Sequence, residues 1–89
     1  MPLQTLRKIT VYFPSPEAHH PLDPTYEFTD ASAIKENVAI FKDLQKFESV
    51  GLVKPVDEEH MYFAAMNSKG CRLTAMGFQY WRLVNEKKV

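Results

Sequence analysis

The sequence predicts a small α+β domain. Three observations carry that prediction: the hydrophobic period is two in the first residues, becomes helical at Asp30, and becomes helical again at Thr74 after an extended stretch. Eighty-nine residues suffice for one domain with a thin core, 1–89, to whose stability a partner chain could contribute. A hydrophobic content of 45% with 25% charged residues is ordinary for a globular chain, and no repeat or low-complexity tract divides it.

Residues 5–13, TLRKITVYF, alternate, with Ile9, Val11 and Phe13 on one side and Lys8, Thr10 and Tyr12 on the other, as in a half-buried strand. PSPEAHHPLDP follows and holds four of the six prolines, which lack the donor that helix and ladder need, so it reads as a loop. TYEFT (25–29) alternates again and reads as the returning arm, giving an N-terminal β-hairpin across residues 1–29. From Asp30, Ile34, Val38, Phe41 and Leu44 recur at steps of three and four, widened by Ala33, Ile40 and Phe47. That spacing predicts a helix over 31–50, with Asp30 as N-cap, Gly51 as left-handed C-cap and Pro55 beyond the stop.

LVKPV (52–56) reads as extended and DEEH (57–60) as a polar turn. MYFAAM (61–66) and CRLT (71–74) flank Asn67-Ser68-Lys69-Gly70, a short polar loop ending in glycine, which predicts a β-hairpin. Thr74 is placed to cap a last helix over 75–87. On it Met76, Tyr80, Leu83 and Val84 form one stripe, expected on the helix 31–50, while Phe78 and Trp81 lie on another side and need a second surface. The N-terminal strands could supply it through Ile9, Val11 and Phe13. A second copy of the chain is the favoured source, so a homodimer with its interface at Phe78 and Trp81 is expected.

Eleven basic and eleven acidic side chains cancel, so no overall field attracts nucleic acid, and any such partner must meet a local patch. The single Cys71 excludes an intramolecular disulfide and fits a reducing compartment. MPLQTLRKITVYF has too short an apolar run for a signal peptide, and no stretch approaches the roughly 18 apolar residues of a membrane span. A cytoplasmic protein without a membrane partner is expected.

From Ile34 to Val84 the chain resembles the second half of the winged-helix DNA-binding domain family. The phrases are Leu44, Phe47 and Gly51-Leu52-Val53 at the end of one helix, then Leu73-Thr74 and Gly77 opening the next. The likeness implies a recognition helix at 31–50 in the major groove of duplex DNA, presenting Lys35, Lys42, Lys46 and Ser49. It also implies a hairpin wing bringing Lys69 and Arg72 to phosphate, in a small transcription-regulatory protein. The two helices that the family places before its recognition helix are missing from residues 1–29, where strands and a loop are expected. A helix through 61–66, or a strand through 38–47, would end the likeness.

Glu36 and Asp43 sit beside the lysine row, so a solvated mixed-charge face stands against nucleic-acid contact there. Asp57-Glu58-Glu59 similarly oppose phosphate near the wing. The alternative function is a protein-interaction module that binds no nucleic acid. His19, His20, Asp23, His60 and Cys71 include the residue types zinc takes, without CxxC or HxxxH spacing, so no metal site is expected. No nucleophile motif or phosphate loop appears either, and neither an enzyme nor a cofactor is expected.

Overall fold

The computed structural model describes residues 1–89 as an α+β domain. Helices α1 (Leu3–Arg7) and α2 (Ile9–Tyr12) are followed by strand β1 (His19–Pro21), a 3-10 turn (Pro24–Tyr26), and the long helix α3 (Lys35–Ser49). Strand β2 (Val53–Pro55), helix α4 (Met61–Met66), strand β3 (Gly70–Leu73) and helix α5 (Ala75–Asn85) complete the chain. The sheet is antiparallel, in the order β1-β3-β2.

The expected N-terminal β-hairpin does not form. TLRKITVYF satisfies two periods at once, and the four-residue step of Thr5, Ile9 and Phe13 prevails: all three are buried, whereas Val11 is 71% exposed. Pro2 stands at the N-cap of α1, where its missing N–H costs nothing. Phe13 is extended because Pro14 follows. These two helical segments thus lie where the alternation of residues 5–13 predicts one strand. TYEFT is not a strand either, because Asp23 caps the 3-10 turn through the Thr25 amide (2.8 Å), with Pro24 at its first position. The strand of this region falls inside the proline-rich loop, at the sheet edge, where Pro21 needs no ladder donor.

α3 begins four residues later than predicted, at Lys35, with Ile34 in the capping position. Asp30 instead closes its own turn, accepting from the Ser32 amide at 2.9 Å. The core-facing stripe of α3 is Phe41, Leu44 and Phe47, with Ile40 partly buried. Its stop is as expected: Gly51 has φ +85°, its amide donates to the Glu48 carbonyl (3.0 Å), and the Leu52 amide donates to Phe47 (2.9 Å). This double closure is a Schellman motif, and it drops Leu52 into the core beside Phe47.

The predicted hairpin of 61–66 with 71–74 is likewise absent. MYFAAM is apolar throughout, so periodicity cannot assign it, and the two alanines favour helix. Met61, Ala64 and Ala65 are buried at helical spacing. The polar loop read as a hairpin turn is the stop of α4, with Ser68 left-handed at φ +54° and the Lys69 amide donating to Ala64 (2.8 Å). β3 pairs with β2 on one side and β1 on the other, so the hairpin wing does not form, and the helix through 61–66 ends the winged-helix likeness.

α5 packs on α2 and β3 rather than on α3. Thr74 caps it, accepting from the Gly77 amide at 3.0 Å, while its own amide donates to the Leu52 carbonyl at 3.0 Å. A Cβ on Gly77 would stand 1.9 Å from that carbonyl, so only glycine allows the helix to lie so close. The Gly51-Leu52 and Thr74–Gly77 phrases are therefore one physical joint. Gly77, Trp81 and Val84 form the inward side, while Met76 and Tyr80 stay largely exposed.

Candidate nucleic-acid interface

Lys35, Lys42, Lys46 and Ser49 lie on the exposed face of α3, opposite Phe41, Leu44 and Phe47. Helical spacing sets the three lysines within about 40° of one another. Ser49 is turned to its own helix, donating to the Lys46 carbonyl at 2.8 Å. The acid expected to neutralise the row does not do so. Asp43 is mostly covered and accepts from the Tyr12 hydroxyl (2.6 Å) and Lys8 Nζ (3.3 Å), both on the N-terminal helical segment. Burial and this carboxylate hold the Tyr12 phenol above its ordinary pKa. Glu36 remains exposed on the same flank as Asp43. None of the three lysines forms an ion pair.

Beside the row a shallow cleft of about 410 Å³ is lined by Phe28, Ala33, Val38 and Ala39 with Lys35 and Lys42. Phe28 is 70% exposed, so the lysine face carries an apolar margin. The sequence pattern had placed Val38 in the core stripe. It lies by this cleft because its position on the helix is about 120° around from Leu44, the middle of the buried stripe.

Lys69 and Arg72 do not join the α3 row. Arg72 projects from the outer face of the sheet, whose inner face shares the core with α3, so the two surfaces turn away from that core on different sides. Lys69 is exposed at the stop of α4. Two neighbours of Arg72 are not evident in the sequence, because only strand register reveals them: His19 on β1 and the cationic Lys54 on β2 both stand opposite it.

The remaining chemistry-bearing residues are dispersed. His20 is held by Tyr12, Phe13 and Tyr26, with Nδ1 3.0 Å from the Tyr12 carbonyl, whereas His19 and His60 are exposed. Cys71 is buried, which pushes its thiol up to about 12. No three His, Cys, Asp or Glu side chains come together. Trp81, expected at a dimer contact, is intrachain: its Nε1 donates to the Phe13 carbonyl at 2.7 Å, satisfying a helix-end acceptor. Phe78 is 37% exposed and has no such anchor.

No family model, curated protein or solved structure matches the chain. No helix is long and apolar enough to cross a membrane.

Proposed function

We propose that this chain is a small nucleic-acid-binding protein, of a transcription-regulatory kind, that presents the outer face of α3 to duplex DNA. One observation carries the reading: Lys35, Lys42 and Lys46 project together from one exposed helix face while Asp43 is occupied by Lys8 and Tyr12. Counterion release by such a row favours a polyanion whatever the net charge of the chain. The helix α4 removes the hairpin wing on which the winged-helix likeness leaned, so the proposal stands on α3 rather than on the likeness. Arginine and asparagine are scarce on the lysine face, so the contact is with phosphates more than with base edges.

Fluorescence anisotropy with a labelled duplex tests this. Binding should weaken steeply with salt, and Lys35→Ala, Lys42→Ala, Lys46→Ala together should lower the slope of log K against log salt by about 3. No binding at low salt, or an unchanged slope, sinks the proposal.

The second reading is a protein-interaction module. The apolar cleft formed by Met1, Leu6, Val50, Leu52, Met76 and Tyr80 favours it, as do exposed Tyr62 and Phe63 on α4. Co-purification of a stoichiometric protein partner by a chain that binds no duplex would establish this reading.

A further inference from the structure

The open face of the sheet carries a second cationic surface, built by register rather than by sequence proximity. Arg72, at the centre of β3, is directly opposite His19 on β1 and Lys54 on β2. All three side chains are exposed, while the alternate residues Cys71, Val53 and Leu73 point into the core. We propose that the row His19–Arg72–Lys54 binds the sugar-phosphate backbone of a nucleic acid, as a second contact surface separate from α3. This rests on the nucleic-acid reading above and adds to it the sheet face, with His19 and Lys54 as binding residues.

Like charges placed directly opposite across strands repel, and sheets ordinarily put an acid in such a position. Here none is present. The ion pairs of the protein are Lys8–Asp43, Arg82–Glu86 and Lys88–Glu86, all away from this row. Arg72 and Lys54 thus face each other without a counter-charge, which an external anion would supply.

The shape of the row selects the kind of anion. Neighbouring strands lie about 4.8 Å apart, so the three positions span roughly 10 Å in a line. A linear polyanion can meet all three, whereas one small anion cannot. Arginine at the centre adds a planar fork suited to phosphate oxygens. The next row on the same face is flat: Pro21 is opposite Gly70, whose carbonyl accepts from the Val56 amide at 2.8 Å. Val56, partly covered, completes that row and is its one apolar side chain on the β2 side, so the charged relief of this face is Arg72 and Lys54.

The test separates this surface from α3. Two sheet variants, Lys54→Ala with Arg72→Ala and Lys54→Gln with Arg72→Gln, are compared with the triple α3 variant in duplex anisotropy across a salt series. Circular dichroism melts should show both sheet variants folded with an unchanged or raised midpoint, because a repulsion is removed. Expected is binding at least tenfold weaker at low salt and a slope lower by about 2, because two phosphates are no longer neutralised. Unchanged affinity and slope in folded sheet variants, with weaker binding by the α3 variant, overturns the sheet site and leaves the α3 reading intact. Weaker binding by the sheet variants alone retains the sheet site and overturns α3 as the contact. A wild type that binds no nucleic acid at low salt, or binds only phosphatidylserine vesicles, overturns both.

Discussion

The joint between Gly51-Leu52 and Thr74–Gly77 and the N-terminal segment 1–29 are both essential to the core, yet they differ in how directly residues specify them. At the joint, each residue has a stereochemical reason that acts alone: a positive φ at Gly51, a capping hydroxyl at Thr74, and at Gly77 a backbone carbonyl 1.9 Å from where a Cβ would stand. In the N-terminal segment the only signal is a short hydrophobic pattern, and nine residues can satisfy two periods. Packing then decides which period is realised. Ile9 and Phe13, four apart, fill the space above α5, and Val11 is left outside.

The largest expected effects break this comparison at its weaker side. Phe13→Ala should destabilise the domain by about 4 kcal/mol, through lost burial and the cavity left behind. Val11→Ala should change stability by less than about 0.5 kcal/mol, as an exposed position does. Urea unfolding of both variants checks the helical assignment. Equal large losses at residues 11 and 13 would restore the strand that the alternation suggests.

Gly77→Ala strikes the stronger side. Its new methyl group meets a backbone carbonyl, which cannot rotate away, so α5 must lift from β3. A loss of about 3 kcal/mol is expected, at the upper end for an added carbon in a packed site. The same substitution at an ordinary exposed helix position would stabilise. A neutral result in urea unfolding would show that the joint is loose and that its legibility was fortuitous.

What was legible follows the same division. The α+β class, the helix through Lys35–Ser49, its stop at Gly51, the extended Val53–Pro55 and the capped last helix were readable because each had a cap, a glycine or at least three turns of pattern. The helix at Met61–Met66 was not, since six apolar residues carry no period and its left-handed stop is made by Ser68 rather than glycine. For the candidate site, exposure of the α3 lysines was readable from the stripe opposite them. Removal of Asp43 from the row was not, because it depends on Lys8 and Tyr12, more than 30 residues away. The row across the sheet was invisible for the same reason.

Alkaline pH sharpens the comparison from the side of the core. The Cys71 thiol ionises near 9 in an unfolded chain and near 12 when folded, because burial penalises the thiolate. Below pH 9 both states hold the proton and stability is unaffected. Above it the unfolded chain releases a proton that the folded chain keeps, so stability falls by about 1.4 kcal/mol per pH unit until the folded thiol titrates. Tyr12, raised by burial and Asp43, acts in the same direction at higher pH. Urea midpoints from pH 8 to 10.5 should decline, and Cys71→Ala should flatten the first part of the decline. An identical decline in that variant would assign the effect to other groups.

The smallest expected effect compares two helix stops of the same geometry. α3 ends on Gly51 at φ +85° and α4 on Ser68 at φ +54°, and in both the residue after donates back to the last turn, Leu52 to Phe47 and Lys69 to Ala64. A side chain in the left-handed region costs about 1 kcal/mol, a cost that glycine avoids and serine carries. Glycine also gives the unfolded chain more freedom, which offsets part of that difference. Ser68→Gly should therefore stabilise by about 0.5 kcal/mol, while Gly51→Ala should destabilise by about 1 kcal/mol, with open space around its new methyl group. Opposite signs in thermal melts would show that both stops are left-handed and that only the choice of residue made one readable. A loss at Ser68→Gly as large as that at Gly51→Ala would mean that Ser68 is not left-handed, and the hairpin reading of residues 61–74 would return.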